Sequence, residues 1–244
     1  IVAQLPGGTN ILLDSGSLNR SDVGTRIVTP FLRYSGIGKL DAVIISHPDI
    51  DHINGLLEVA DNCKIKSIYS DEILNDNKMN SPGRFLNDRL IKKRIQIKPF
   101  KDNLFEEEFA SVKLLWPDKE IYEDNKINTN DKSAVILFEY AARKVLVCSD
   151  IEKLAQNQLL ELYPNLKADV LITPHHGSIK TLEFSFLDKT AVNVTITSSS
   201  KSSFEKGRVI SQLKNRKSYF TATDGAVKIV INKDGLVKTT TFIK

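Results

Sequence analysis

The chain has 244 residues, 41% of them hydrophobic, and a formal net charge of +4. That is ample for the core of one large domain or two fused halves, and the mild positive charge permits an anionic substrate without demanding one. Two cysteines, Cys63 and Cys148, are too few for a disulfide framework, no apolar run reaches the length of a membrane span, and no signal peptide is visible.

The chain opens without methionine, directly in a strand-like segment, and reads as excised from something longer. Ile1–Leu5 and Asn10–Leu13 are predicted strands joined by the turn Pro6-Gly7-Gly8. Asp22 is placed to cap a helix with Val23, Ile27, Phe31 and Leu32 on one face, ended by Gly36 and Gly38. Leu40–Ile45 reads as a buried strand and Asn54–Ala60 as a helix. Residues 70–93 are polar and lysine-rich, a loop followed by a helix around Phe85–Lys93. Ile95–Ile97 and Val112–Leu115 alternate like strands, and 117–132 reads as a polar loop. Ala134–Tyr140 and Lys144–Cys148 form a predicted hairpin, and Leu154, Leu159 and Leu162 mark a helix. Strands follow at Ala168–Ile172 and Ala191–Thr197, then a helix near Phe204–Lys214. Phe220–Thr223, Ala226–Ile231 and Leu236–Phe242 close the chain, with Asp224-Gly225 and Asp234-Gly235 as hairpin turns. Each half looks like strands followed by helices, an α/β arrangement of sheets packed between helices. No short repeat or flexible linker is visible.

All four histidines fall in two short clusters, His47-Pro48-Asp49-Ile50-Asp51-His52 and Pro174-His175-His176-Gly177. Each follows an apolar strand, and so do two aspartates, Asp14 and Asp150. Imidazole nitrogen and carboxylate oxygen are ligands for zinc, manganese or iron, and strand ends supply rigid supports. A loop, rather than a helix, is expected to gather His47, Asp49, Asp51 and His52 round one centre. Of His175 and His176, one is a ligand and the other a supporting or substrate contact, which the spacing leaves open. Asn130, Ser178 and Lys180 supply donors that suit a phosphate or a developing oxyanion.

These motifs are similar to a known family. His47-x-Asp49-x-Asp51-His52 resembles the H-x-[HD]-x-D-H signature of the metallo-β-lactamase fold. Asp14 resembles that fold's first strand-end aspartate, Asp150 its bridging aspartate, and Pro174–Ser178 its last histidine motif. Together with Asn130-x-x-Ser133 and Phe220–Val227, these segments resemble the C-terminal domain of ComEC-type DNA-uptake (competence) proteins, over nearly the whole chain. The resemblance implies one domain over residues 1–244, a four-layer αββα sandwich holding two divalent metal ions, zinc or manganese, with single occupancy as the variant case. It assigns His47 and Asp49 to one ion, Asp51, His52 and His176 to the other, and Asp150 to both. Asp51, Asp150 and Lys180 would be catalytic, and Asp14, Asn130, Ser133, His175 and Ser178 would support ligands or touch substrate. Asp49 stands where the signature usually has histidine, and the fold's central histidine has no counterpart. The first site is therefore oxygen-rich and favours a harder ion.

The activity so implied is hydrolysis of a phosphodiester, DNA above all, by a metal-activated hydroxide. A small-ester or phosphoester hydrolase and a non-catalytic domain that positions DNA are the competing readings. Partners would be DNA or another phosphodiester and the membrane-channel part of a longer parent. The location would be a soluble domain of a bacterial inner-membrane protein, or else the cytoplasm. Basic stripes for nucleic acid are Arg84, Arg89, Lys92, Lys93 and Arg94, or Lys201, Lys206 and Arg208. Aromatic residues are few, at 7%, which argues against a stacking platform for single strands.

Overall fold

Proline and glycine set the first hairpin. In the computed structural model, which describes residues 1–74, 76, 80–209 and 216–243, the Gly8 amide bonds the Leu5 carbonyl at 2.9 Å. This turn pairs β1 (Val2–Gln4) with β2 (Asn10–Leu13) antiparallel. The chain divides into two units, Ile1–Lys101 and Asp102–Lys244.

In the first unit, helix α1 (Thr29–Tyr34) follows the hairpin, then β3 (Lys39–Leu40) and β4 (Ala42–Ile44). A short helix α2 (Ile50–Ile53) and α3 (Leu56–Asn62) lead to β5 (Lys64–Ile65) and β6 (Ile68–Tyr69). Helices α4 (Asp71–Leu74) and α5 (Pro82–Lys92) precede β7 (Ile97–Lys98). The sheet order is β1-β2-β4-β6-β7, parallel from β2 onward, and β3 pairs with β5 separately. Leu12, Val43 and Ile68 on one sheet face pack with Leu32, Leu56, Val59, Ile73, Leu86 and Leu90 from the helices. Each such fully buried aliphatic contributes about 1.5–3 kcal/mol. Ile11, Leu13 and Ile44, on alternate positions, are buried too, which is why these strands read as unbroken apolar runs.

The second unit opens with β8 (Asn103–Glu106), β9 (Ala110–Trp116) and α6 (Lys119–Glu123). The predicted hairpin of β10 (Val135–Tyr140) and β11 (Arg143–Val147) follows, then α7 (Lys153–Leu162), β12 (Val170–Ile172) and α8 (Phe184–Lys189). Next come β13 (Val194–Thr197), α9 (Lys201–Glu205), β14 (Lys217–Phe220) and the short α10 (Thr221–Asp224). The last hairpin, β15 (Val227–Ile231) with β16 (Val237–Thr241), turns at Asp234-Gly235 as predicted. The seven-stranded sheet runs β14-β13-β12-β11-β10-β9-β8, parallel from β11 to β14 and antiparallel from β11 to β8. Trp116, Leu137, Leu146 and Leu171 pack with Leu159 and Phe186. The buried Trp116 indole donates to the Asp131 carbonyl at 2.7 Å, which removes the cost of enclosing its N–H. Among the described residues no helix is long and apolar enough to cross a membrane.

Several expectations change. Before α1 the Thr29 amide bonds the Gly24 carbonyl, five residues back. This wide turn over Gly24–Val28 rotates the apolar face, so Val23 and Leu32 are buried while Ile27 and Phe31 are exposed. Asp22 does not cap the helix but pairs with Arg26 at 2.5 Å. Leu154 and Leu162 are likewise exposed on α7, which instead buries Ala155, Gln156, Leu159 and Leu160. The 117–132 segment contains α6, capped by Asp118, whose carboxylate accepts from the Ile121 amide at 2.9 Å. Thr221–Asp224 is helical and β14 lies parallel to β13, so Asp224-Gly225 is no hairpin turn. The Phe204–Lys214 helix is met by α9 up to Glu205, and its positions 210–214 lie outside the described residues.

Candidate metal centre

In the first unit the ends of β2 and β4 lie side by side, since Leu13 is in register with Ile44. Asp14 and Ser46-His47 therefore leave the sheet at the same edge. Asp14 takes a left-handed backbone, φ 51°, uncommon for a residue with a Cβ. Its carboxylate ties three segments together. Oδ1 accepts from the Ser46 amide at 2.8 Å, and Oδ2 accepts from the Ser46 hydroxyl at 2.8 Å and from His52 Nδ1 at 2.9 Å. Ser46 Oγ also lies 3.0 Å from His47 Nδ1. Burial opposes ionisation of Asp14, but the positive charge His52 carries when protonated, the hydrogen bond from that ring, the charge of a protonated His47 and the Ser46 amide outweigh it and hold the carboxyl below its usual range.

One proton arrangement satisfies all these contacts. His47 Nδ1–H donates to Ser46 Oγ, whose hydroxyl donates to Asp14, and His52 Nδ1–H donates to the same carboxylate. Both rings are then neutral, with Nε2 the electron-pair donor. His47 Nε2 lies 3.6 Å from an Asp49 oxygen and His52 Nε2 3.9 Å from an Asp51 oxygen, both too far for hydrogen bonds. The two imidazoles stack at 4.0 Å between centroids and are buried, His47 at 1% and His52 at 6% exposure. Acceptor nitrogens and carboxylates gathered this way fit a divalent cation, and their anchored Nδ1 atoms are the usual support of histidine ligands.

The polypeptide achieves this differently from the expected loop. His47 and Asp49 stand in extended or loop backbone, but Asp51 and His52 sit on one helical turn, α2. That turn is held from behind, because the Ser15 amide bonds the His52 carbonyl and the Gly55 amide bonds the Ser15 carbonyl, each at 2.8 Å. Gly16 is the tightest point, since a Cβ there would lie 2.3 Å from the Asp51 carbonyl carbon.

In the second unit, Asp150, His175-His176 and Ser198 follow the parallel neighbours β11, β12 and β13 at one edge. Ser149, His175 and His176 all have left-handed backbones, φ 46°, 43° and 55°, and Gly177 follows at 70°. His176 Nδ1 lies 2.9 Å from the Ser198 carbonyl, an acceptor, so this nitrogen carries the proton and Nε2 is left as the electron-pair donor. Nε2 lies 3.6 Å from Asp150 Oδ1, the same acceptor-against-acceptor arrangement as in the first unit.

His175 turns elsewhere. Its Nδ1 lies 3.1 Å from Glu152 Oε1, and that oxygen accepts from Asn130 Nδ2 at 3.1 Å. The buried Asp131 fixes this group, as Oδ1 accepts from the amides of Glu152 at 2.8 Å and Ala155 at 3.1 Å and so caps α7 from a distant segment. Ser133 is fully buried beside it, and Ser149 Oγ donates to the Ala134 carbonyl at 2.9 Å. Ser178 bridges to Val209, and Lys180 is exposed, its amide 3.4 Å from Ser178 Oγ. Burial pushes the Cys148 thiol up, so it is a core residue and not a nucleophile.

The structure thus gathers Asp14, His47, Asp49, Asp51 and His52 in one unit, and Asp150 with His176, and His175 with Asn130, in the other. Sequence reasoning missed Ser46, Gly16, Asp131, Glu152 and the Ser198 carbonyl. Ser46 and Glu152 stood in the right polar junctions, but only long-range contacts reveal their partners.

A model of the Metallo-beta-lactamase superfamily matches residues 1–199. ComE operon protein 3 of Bacillus subtilis (strain 168) is 26% identical over 184 residues, which cover 73% of this chain and 22% of that protein. The chain thus spans about a fifth of that relative. Among solved structures, the metallo-beta-lactamase fold protein YhfI from Bacillus subtilis is 13% identical with a TM-score of 0.49, covering 96% of this chain and 88% of its own. The isothiocyanate hydrolase from Delia radicum gut bacteria is 12% identical with a TM-score of 0.49, covering 98% and 95%. From its family match, the chain belongs to the metallo-beta-lactamase superfamily, whose members are generally metal-dependent hydrolases.

Proposed function

We propose that this chain is a metal-dependent phosphodiesterase acting on DNA. The observation that carries the hydrolase reading is the pairing, in both units, of imidazoles anchored through Nδ1 with carboxylates near Nε2, which suits divalent cations. The nucleic-acid reading is supported by the motif resemblance to ComEC-type proteins beside the 26% identity to ComE operon protein 3.

Nε2 of His47, His52 and His176 and the carboxylates of Asp49, Asp51 and Asp150 would be the ligands, in the motif order the superfamily uses. Divalent ions, when bound, lower the pKa of water and stabilise charge on phosphodiester oxygens. Around them, Asp51 would orient the attacking water through its carboxylate. Lys180 would balance phosphate charge, and Asn130, with one amide hydrogen on Glu152, has a second to offer the substrate. The motif resemblance would assign His47, Asp49 and Asp150 to one ion, and a set with one imidazole among oxygens would suit manganese better than tetrahedral zinc.

The test is metal analysis combined with hydrolysis of bis(p-nitrophenyl) phosphate and of a labelled oligonucleotide. Activity rising with added manganese, and lost in Asp150→Ala, is the expected result. Metal and DNA binding without hydrolysis under any metal would instead favour the DNA-positioning reading, and hydrolysis of small esters alone the small-molecule one.

A further inference from the structure

Helix α5 starts against the first histidine cluster. A Cβ on Gly83 would lie 3.2 Å from Pro48 Cβ, and Pro48 separates His47 from Asp49. Ser81 caps this helix end, its Oγ accepting from the Arg84 amide at 3.2 Å, and Gly83, Leu86 and Leu90 fix the inward face. The outward face carries Phe85, 55% exposed, and one turn on Arg89, whose guanidinium carbon is 5.2 Å from the ring centroid. Exposed Lys92 continues the row, Asp88 is the acid of this helix, and Lys93 is paired with Asp61.

We propose that Phe85, Arg89 and Lys92 form a surface that binds single-stranded nucleic acid and leads it toward Pro48. This rests on the phosphodiesterase reading for its purpose. A guanidinium over a phenyl ring holds the ring in place while its remaining surface stays open to an unstacked base. A duplex hides its base faces in the stack and cannot use that ring. Arg89 and Lys92 supply the positive charge that a phosphate backbone needs. Scarcity of aromatics in the composition says nothing of this, because one ring on the exposed face of the helix that packs against Pro48 is enough to seat one base.

The experiment is fluorescence anisotropy of a labelled oligothymidylate and of a hairpin duplex with the full chain in EDTA, so that hydrolysis does not enter. Phe85→Ala is expected to weaken single-strand binding about tenfold and Phe85→Trp to restore it. Arg89→Ala and Lys92→Ala should each lower the slope of log affinity against log salt by about 0.7. Lys228→Ala, an exposed cation on β15, serves as the charge control and should change nothing. Unchanged binding by Phe85→Ala, equal losses for strand and duplex, or no single-strand binding by the wild type would each overturn the proposal. Turnover of bis(p-nitrophenyl) phosphate by the wild type decides the phosphodiesterase reading separately.

Discussion

The two histidine clusters present the same chemistry through opposite kinds of support. In the first unit the imidazoles are buried, and side chains fix them: Asp14 and Ser46 hold both Nδ1 atoms. In the second, His176 stands 44% exposed at its side chain, and backbone fixes it: a left-handed turn and a main-chain carbonyl. A cluster built from side chains couples metal binding to the stability of its core. A cluster built on backbone leaves the two separable.

The largest effect should expose that difference. His47→Ala or His52→Ala removes a buried ring and leaves Ser46 or Asp14 short of a partner, so the apoprotein should lose about 2–4 kcal/mol on top of its metal. His176→Ala should also lose metal but cost the apoprotein no more than about 1 kcal/mol. Chemical denaturation with and without metal measures both. Equal apoprotein losses in the two units would end the distinction.

A second contrast lies in two glycines. A Cβ on Gly16 would meet the backbone of Asp51 at 2.3 Å, which has nowhere to move without carrying off His52. Gly16→Ala should cost about 3 kcal/mol and weaken metal binding. A Cβ on Gly177 would meet the Thr197 methyl at 2.8 Å, and the glycine's φ of 70° disfavours any side chain. Gly177→Ala should cost about 1–2 kcal/mol. Reversal of this order in thermal melts would show that the strand-end turn, not α2, is the rigid part.

Substitution of the supports themselves sharpens the comparison. Asp14→Asn keeps the shape but loses the charge that orients His52, and metal affinity should fall about 10–100-fold. Ser198→Ala leaves the carbonyl that holds His176 in place, so affinity should stay within about twofold. Titration with a competing chelator reads both, and a large loss in Ser198→Ala would show that its side chain takes part.

The clusters were legible in the sequence for a local reason. Short apolar runs such as Ala42–Ile45 and Val170–Ile172 announce strands, and polar junctions directly after them announce a sheet edge. Whatever depends on distant segments was not legible. Asp131 caps a helix that begins twenty-two residues later at Lys153, and Glu152 meets His175 only once β11 and β12 pair. The wide turn at Gly24–Val28 defeated the helical period because one extra residue per turn rotates every later side chain. The stacked Phe85 and Arg89 are four residues apart and were readable as a pair, but the seat of Gly83 on Pro48, which gives them meaning, is a tertiary contact.

The smallest effect concerns a support in the second unit that involves neither histidine. Glu139 on β10 lies beside Lys113 on β9, 2.6 Å from its ammonium, and Lys144 on β11, at 3.4 Å. Burial works against its charge, but the Lys113 hydrogen bond and the two cations outweigh it and hold the carboxyl below its ordinary value of 4.5. A depressed carboxylate stabilises the fold above the unfolded pKa and loses that contribution as pH falls through the folded one. The second unit should therefore gain from Glu139 at neutral pH and lose that gain below about pH 4.5. Because the partners are part-exposed, the gain is at most about 1 kcal/mol, or about 2–4 °C in melting temperature for a chain of this size. Glu139→Gln should lower the melting temperature at pH 7 by that amount, and its difference from the wild type should shrink as pH falls below about 4.5. Metal affinity should be untouched, since backbone at the far ends of the strands holds His176. A change in metal affinity in this variant would mean that the second cluster draws on the charges of its sheet as the first draws on Asp14.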